Sequence, residues 1–396
     1  MKMFDSKQET LRADELSQLQ LERFQALVAR LRRNVRRYRE VLGDRRLESL
    51  ADVGGLPATE PEDLVAAFPY GMFALPVGEV VRLHSTVGPK GCQLVIGHTR
   101  NDLTQWGRLV ARQLAAAGVT ANDVIQICFG GGVFEKALGY MLGAEMLGAS
   151  VIPQGPFHIE YQLAMLQNYR VTALITSPTN ARELVELLRN RQADPQSLYL
   201  RVVILSRPVP PAEREHLKTG LMTEVRTSFG IPEILDPGFC LECDQGRFHV
   251  NEDQFAVETR DGELLVTTLC REAMPLLRYG TRTEGAIARE KCACGRTGAI
   301  LQPGRRLDGR LLVNETALYP EQISAVLAQT RAAGHPYRME ASDRRVVVSI
   351  TIAKDLFADT MRALVEMRDE IAAEILARLG VDAEVRFVEP RESPRA

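Results

Sequence analysis

Four residues whose side chains bind metals stand in two short segments of the sequence. They are Cys243 and His249 in LECDQGRFH, and Cys292 and Cys294 in KCACGRTG. Three thiolates and one imidazole complete a tetrahedral zinc site, and four protein ligands leave no open position for a substrate. The grouping therefore predicts one structural zinc. Cys240 is a competing ligand, because Cys240 and Cys243 have the CxxC spacing of a zinc knuckle.

A turn with two glycines lies between two apolar runs, within HSTVGPKGCQLVIGHTRND at residues 84–102. Gly88 and Gly91 stand on either side of Lys90 in this turn. Backbone N–H groups in such a turn bind phosphate, and a nearby lysine adds positive charge. The same composition also occurs in ordinary hairpins, so the turn indicates a phosphate site only together with further residues.

The hydrophobic pattern divides the chain into regions of different structure. From about residue 80 to about residue 206, short apolar runs alternate with helical patterns, which predicts an α/β domain with parallel strands and crossover helices. Residues 240–300 alternate with the period of antiparallel strands, and the part that begins at Asp308 has the pattern of a smaller α+β unit. We therefore expect an N-terminal domain at 1–307 and a C-terminal domain at 308–396.

The composition excludes several classes of protein. The 396 residues are 45% hydrophobic and 25% charged, which rules out wholesale disorder. The 49 basic and 51 acidic residues give a net charge of −2, so we expect no nucleic-acid partner. No apolar run reaches the about 18 residues of a membrane helix, and the N-terminus lacks the apolar core of a secretory signal. We expect a cytoplasmic protein without a membrane partner.

Segments spread over nearly the whole chain resemble one enzyme family. They include FPYGMFALPVGEVVRLHS, LGAEMLGASVIP, SFGIPE, CDQGRFHVNED and GELLVTTLCREAMPLLRY. These segments are similar to the phenylacetate–CoA ligase family, a branch of the adenylate-forming acyl- and aryl-CoA ligases. The resemblance implies a large α/β N-terminal domain, a small mobile α+β lid domain and a structural zinc. It also implies that a carboxylic acid and ATP form an acyl-AMP, whose acyl group is then transferred to coenzyme A.

The resemblance assigns roles to individual residues of this sequence. The implied nucleotide-binding residues are Gly88, Lys90, Gly91, Glu233, Arg278, Glu284 and Arg306, with Glu233 as the magnesium ligand. The implied acid-binding residues are Phe129, Phe134 and Gly230, and the implied hinge is Asp308. Glu233 and His84 are the catalytic candidates, and His84 either supports the loop by hydrogen bonding or acts in acid–base catalysis.

This sequence departs from the family at several of these positions. TVGPKGCQL at residues 86–94 replaces a hydroxyl-rich loop close to SSGTTGKPT, and Thr283 replaces the aspartate that would bind the ribose hydroxyls. Glu135 and Lys136 replace small residues beside the acid, and the sequence ends at Ala396, before the expected lid lysine. ATP with magnesium and coenzyme A are the implied cofactors, but these departures predict impaired adenylation.

Three functions are compatible with these observations. The first is a CoA ligase for an aromatic or related carboxylic acid, with impaired adenylation. The second is an acyltransferase that takes a pre-activated acyl-CoA without ATP and passes the acyl group to an acyl carrier protein or a small nucleophile. The third is a non-catalytic relative that binds a ligand or serves as a scaffold. A homodimer is compatible with each of them.

Overall fold

The computed structural model describes residues 3–129, 134–154, 158–313, 315–342, 344–352 and 361–388. The chain divides into two compact units. The first consists of Met1–Gly88 and Gln93–Leu307, and the second of Pro89–Cys92 and Asp308–Ala396.

Both units contain helices, with α10 and α11 in the second unit. The helices of the described residues are α1 (Ser6–Glu9), α2 (Ala13–Asn34), α3 (Arg36–Leu42), α4 (Pro61–Ala66), α5 (Arg100–Ala116), α6 (Phe134–Leu147), α7 (Ile159–Asn168), α8 (Pro178–Asn190), α9 (Pro211–Leu221), α10 (Pro320–Leu327) and α11 (Met361–Leu379). Across the described ranges, no helix has both the length and the apolar character needed to span a bilayer.

Five sheets are formed by the strands of the described residues. The strands are β1 (Arg82–Val87), β2 (Gln93–His98), β3 (Val124–Cys128), β4 (Ser150–Gln154), β5 (Ala173–Thr176), β6 (Val202–Leu205), β7 (Glu224–Thr227), β8 (Cys240–Glu242), β9 (Phe248–Val250), β10 (Phe255–Arg260), β11 (Glu263–Thr268), β12 (Tyr279–Ala288), β13 (Ile300–Arg306), β14 (Leu311–Val313), β15 (Thr316–Leu318), β16 (Tyr337–Ser342), β17 (Arg345–Thr351) and β18 (Asp382–Val388).

The central sheet has five parallel strands in the order β4-β3-β5-β6-β7. All residues of β5 and β6 are buried, as expected for a parallel sheet with helices on both faces. Alternate residues of β5 face different cores: Ala173 and Ile175 pack in the cluster that includes α5, whereas Leu174 packs in the cluster that includes α8. The predicted α/β class is confirmed.

Helices α5 and α6 pack against each other on one face of this sheet. Gly143 of α6 lies so close to α5 that a Cβ atom there would be 2.4 Å from Cγ1 of Val110. The close contact therefore requires glycine at this position.

The second sheet has six antiparallel strands in the order β10-β11-β12-β13-β9-β8, which confirms the antiparallel pattern predicted for residues 240–300. Strand β13 pairs with β9, so that Ile300 lies opposite His249. This pairing places the β8–β9 hairpin beside the loop between β12 and β13.

Residues 13–42 form two helices, α2 and α3, with a break between them. Val35 is fully buried and has an extended backbone (φ −114°, ψ 116°), so α2 ends and α3 begins around it. Its N–H still donates to the carbonyl oxygen of Leu31. An extended conformation suits a β-branched residue, and the sequence has no glycine or proline there to mark the break.

The second unit contains a three-stranded sheet in the order β16-β17-β18. Val346, Val348 and Ile350 alternate along β17 into its core. Ile371 and Ile375, one turn apart on α11, belong to the same core. This arrangement confirms the predicted α+β character.

A buried ion pair fastens α5 to the second sheet, and its removal tests the stability of the first unit. Arg112 is 2.8 Å from Asp253, and their side chains are 4% and 3% exposed. We expect Arg112→Met to lower the free energy of unfolding by about 3–5 kcal/mol, because it leaves the Asp253 carboxylate buried without its cation. Urea unfolding measures the change. Arg36→Met is the matched control, because its ion pair with Glu40 is exposed, and we expect a loss of about 0.5 kcal/mol or less. Equal losses in the two variants would contradict this account.

Candidate functional site

The four predicted zinc ligands lie together. The ligand atoms of Cys243, His249, Cys292 and Cys294 are all within 4.8 Å of one another. Cys243 Sγ is 3.8 Å from Cys292 Sγ, and Cys294 Sγ is 3.4 Å from His249 Nε2. A tetrahedral zinc with bonds of about 2.3 Å to sulfur and about 2.0 Å to nitrogen separates two sulfurs by about 3.8 Å and a sulfur from a nitrogen by about 3.5 Å. These two separations match those expected around a tetrahedral zinc.

A hydrogen bond orients the histidine of this cluster. His249 Nδ1 donates to the carbonyl oxygen of Gly298 at 2.9 Å, which leaves the Nε2 lone pair on the side of Cys294. Metal-bound histidines commonly make such a bond through the other ring nitrogen. Burial, together with Cys292 and Cys243, raises the pKa of the Cys294 thiol to about 11. A cation at the centre would favour the thiolate instead.

Cys240, the alternative zinc ligand, lies apart from the cluster. Its thiol donates to the carbonyl oxygen of Phe229 at 3.2 Å, and burial raises its pKa well above the usual value. Among the described residues, the metal-ligating group contains Cys243 and not Cys240.

The loop that carries Cys292 and Cys294 also holds the N-terminal segment. Arg296 pairs with Glu9 at 2.7 Å, and both side chains are 2% exposed. Thr297 Oγ1 donates to the carbonyl oxygen of Leu11. A metal that orders this loop would therefore also stabilise the first helix.

The predicted phosphate turn connects β1 and β2. Gly88 is buried, and a Cβ atom there would lie 2.6 Å from Leu94. Pro89 has no N–H, and the N–H of Cys92 donates to the carbonyl oxygen of Pro89 at 3.0 Å. Lys90 and Gly91 have positive φ angles of 56° and 81°. Pro89 and Cys92 therefore have no N–H group to offer a phosphate.

Two of the implied nucleotide-binding residues form ion pairs within the protein. Arg278 is 2.7 Å from Glu258 and donates to the carbonyl oxygen of Gly54 at 2.8 Å. Glu284 is 2.9 Å from Arg305. Each charged group thus has a partner in the protein, and a nucleotide would have to compete with it.

Arg306, another implied nucleotide-binding residue, forms a hydrogen bond with Thr283, where the family has an aspartate. Thr283 is buried, and its hydroxyl donates to the carbonyl oxygen of Thr281 at 3.2 Å. Arg306 Nη1 donates to that same carbonyl oxygen and to Thr283 Oγ1, both at 2.9 Å. Residue 283 therefore brings no carboxylate to the place where the resemblance implies that the ribose binds.

Glu233, the implied magnesium ligand, lies in the loop after β7 and is buried. Arg271 donates to the backbone oxygens of Glu233 and Ile234 at 2.8 and 2.7 Å, which fixes the loop. Within the ranges that the structure describes, no hydrogen bond engages the Glu233 carboxylate. Its role as a magnesium ligand stays a prediction that this geometry permits.

His84 lies in a cluster of aromatic rings. Its ring is 5.0 Å from that of His98, which stacks on Trp106 at 5.1 Å. Burial, and then the charges of Arg82 and Arg271, lower the pKa of His84 from 6.5 to about 4. The imidazole is therefore neutral near pH 7. A neutral ring packed in this way suits the loop-supporting role better than that of a proton donor.

Two of the implied acid-binding residues, Phe129 and Gly230, lie in loops at the carboxyl end of the parallel sheet. Phe129 follows β3 and packs on the ring of Tyr140 at 6.0 Å. Gly230 follows β7, and a Cβ atom there would lie 2.5 Å from Oδ1 of Asp236. Asp236 therefore covers the open face of the glycine. The side chain of Phe134 lies outside the described residues.

An ion pair at this edge was not evident from the sequence. Lys136, at the start of α6, is 2.8 Å from Asp236, and its Nζ donates to the carbonyl oxygen of Ser206 at 2.7 Å. The three residues follow three different strands of the sheet. In open α/β sheets, ligands bind at this end of the strands. Lys136 and Asp236 are a hundred positions apart, so no local spacing could have linked them.

Asp308, the implied hinge, lies in the second unit. Its carboxylate accepts hydrogen bonds from Tyr319 Oη at 3.4 Å and from the N–H of Arg310 at 3.3 Å. Gly309, the next residue, has a φ of +67°. The left-handed residue allows a sharp change of chain direction here.

The fold matches those of known adenylate-forming CoA ligases. A solved structure of 2-hydroxyisobutyryl-CoA ligase, in complex with an acyl-AMP and CoA, superposes with a TM-score of 0.87 at 21% identity, over 99% of this chain and 90% of that one. Residues 316–396 match the family described as the AMP-binding enzyme C-terminal domain. The fold and the C-terminal domain together define the class of adenylate-forming enzymes.

Full-length relatives define the family within this class. The phenylacetate–coenzyme A ligase of Thermus thermophilus is 32% identical, over 100% of this chain and 97% of the relative. That of Escherichia coli is 28% identical, over 98% and 94%. The chain belongs to the phenylacetate–coenzyme A ligase family, which confirms the resemblance read from the sequence.

The lowered pKa of His84 predicts a pH-dependent stability. Because the folded-state pKa of about 4 lies below the ordinary 6.5, the unfolded chain takes up this proton first as the pH falls. The contribution of His84 to stability is therefore present above about pH 6.5 and is lost as the pH falls towards 4. His98 acts in the same direction. We expect the unfolding temperature of His84→Asn to fall less steeply than that of the unchanged protein between pH 6.5 and 4.5. Parallel curves from differential scanning fluorimetry would refute the assignment.

Proposed function

We propose that this chain binds an aromatic or related carboxylic acid, or the CoA thioester of such an acid, and forms the acyl-AMP from ATP only slowly. The observation that carries the second part is the buried Thr283, which bonds to Arg306 where the family has a carboxylate. A ribose hydroxyl would meet a neutral, already bonded hydroxyl there. Hydrogen bonds to charged groups are the stronger ones, so this replacement weakens nucleotide binding.

The phosphate turn supports the same proposal. Pro89 and Cys92 have no free N–H, and Arg278 is already paired with Glu258. Stabilisation of a developing phosphoryl charge requires donors that are aimed at it before the reaction begins. Pro89 and Cys92 therefore supply no donor to such a charge.

A second candidate function follows from the same observation. An acyltransferase that takes a pre-activated acyl-CoA would need no nucleotide, and the loss of the ribose carboxylate would not affect it. An acyl carrier protein or a small nucleophile would receive the acyl group. A non-catalytic binding role, a homodimer and a cytoplasmic location also stay predictions.

We also propose that Cys243, His249, Cys292 and Cys294 hold one structural zinc. The donor set, the separations near those of a tetrahedron and the Gly298 bond to His249 support it. The zinc would fasten the β8–β9 hairpin to the loop between β12 and β13. Four protein ligands complete the coordination, so this metal would take no part in the reaction.

Metal content tests the zinc proposal. Protein purified without added metal should contain about one zinc per chain, because closed sites of this kind bind tightly. Cys292→Ser should lower both the zinc content and the unfolding temperature. Cys92→Ser is the matched control, because Cys92 is exposed and outside the cluster, and it should change neither. Plasma emission spectrometry and thermal unfolding give the two measurements. A well-folded protein without metal would refute the proposal.

Nucleotide binding tests the proposed function. We expect calorimetry to show weak ATP binding in the presence of magnesium, and acid-dependent pyrophosphate exchange to be slow. Thr283→Asp should strengthen ATP binding by about tenfold to a hundredfold, because it restores a charged acceptor beside Arg306. Thr283→Asn is the matched control, because it has a similar size and no charge. Brisk pyrophosphate exchange by the unchanged protein would contradict impaired adenylation, and the protein would then be an ordinary CoA ligase.

A further inference from the structure

Lys136 and Asp236 form an ion pair with little exposure to solvent. Lys136 Nζ is 2.8 Å from Asp236 Oδ2, and each side chain is 11% exposed. Taking two charges out of water costs free energy that an ion pair recovers only with additional hydrogen bonds. The bond from Lys136 to the carbonyl oxygen of Ser206 is one of these.

The pair lies among the residues that are implied to bind the acid. Asp236 packs against Gly230, and Lys136 is on α6, one turn before Tyr140, whose ring packs at a tilt against that of Phe129. The acid-binding role of Phe129 and Gly230 is implied by the family resemblance alone. Any ligand that reaches them at the carboxyl end of the sheet therefore also meets a charged pair.

The ammonium group of Lys136 has capacity for one more bond. It carries three N–H donors. Across the described residues, Asp236 and Ser206 are its two acceptors. Within the described residues the third donor has no acceptor, so it is open to one that a ligand supplies.

An unsubstituted aromatic ring is a poor occupant of this position. Covering the pair with a ring would remove its remaining water and return no hydrogen bond. A ligand oxygen would accept from Lys136, and a ligand hydroxyl could also donate to the Asp236 carboxylate, which accepts several bonds. The same reasoning disfavours a methyl substituent, which is similar in size to a hydroxyl but makes no hydrogen bond.

We propose that Lys136 and Asp236 select an acid that carries a hydroxyl substituent in preference to plain phenylacetate or a methyl-substituted acid. This inference rests on the proposed function, since it assumes that an aromatic or related acid binds at this edge. Sites built to hydrogen-bond a substrate group reject analogues without that group, because their own polar atoms are then left unpaired. The pair is specificity-determining and takes no part in bond making.

Calorimetry with a substituted series tests the inference. The ligands are phenylacetate and its 2-, 3- and 4-hydroxy, -methoxy and -methyl derivatives, each as the free acid and as the CoA thioester. We expect at least one hydroxy isomer to bind about tenfold to a hundredfold more tightly than phenylacetate and than the methyl isomer with the same position. The methoxy isomer should keep part of the gain, because it accepts from Lys136 but cannot donate to Asp236.

Two variants connect the preference to the pair. Lys136→Met should abolish the preference for the hydroxy isomer. The double variant Lys136→Met with Asp236→Asn removes both charges together. It serves as the test if Lys136→Met alone does not fold because Asp236 has lost the cation beside it. Lys218→Met is the matched control, because Lys218 pairs with Glu224 at the surface, and it should keep the preference.

The two ways of failing are distinguishable. If phenylacetate or the methyl acids bind as tightly as every hydroxy isomer, or if the double variant keeps the preference, the inference is overturned while the proposed function stands. If no acid and no thioester binds to the unchanged protein, the proposed function fails, and the inference fails with it.

Discussion

Burial of the parallel sheet on both faces is the constraint from which the rest of the first unit follows. Because β5 and β6 have no exposed residue, they have no side chain to offer a ligand. At these two strands, the polar groups that a ligand can reach therefore lie in the loops at the strand ends. Ser206 and Asp236 lie in two such loops, after β6 and β7, and Lys136 begins the helix that follows β3. The sheet thus decides where a binding site is placed but not what it binds.

The hydrogen bonds and ion pairs that each charged group already makes within the protein determine how strongly that group can bind a ligand. Arg278 is held by Glu258, and Arg306 by Thr281 and Thr283, so part of the hydrogen-bonding capacity of each arginine is already used. A ligand would gain only the difference between its own bonds and those that it displaces. Glu233 differs, since Arg271 holds its backbone and leaves the carboxylate to other partners. Family membership alone would have assigned the same importance to all of these groups.

The sequence predicted features that depend on local pattern and donor chemistry. The alternation of apolar runs was enough to predict the α/β class, and the cysteine and histidine spacing was enough to predict that Cys243, His249, Cys292 and Cys294 lie together. Features that depend on tertiary contacts could not be predicted from the sequence. The extended backbone at Val35 depends on the core around it, and the choice of Cys243 over Cys240 depends on the pairing of β13 with β9. No local spacing shows which side chain a strand pairing will bring near.

The Lys136–Asp236 pair shows why a departure from a family pattern has to be read together with its surroundings. A lysine in place of a small residue would by itself leave a buried charge without a partner, which is strongly destabilising. Asp236 supplies the opposite charge, and Gly230 leaves the space that its carboxylate fills. The lysine is therefore accommodated by two residues of another loop at the same edge, the one after β7. Such a coordinated arrangement keeps the fold stable while it changes the chemistry that a ligand meets.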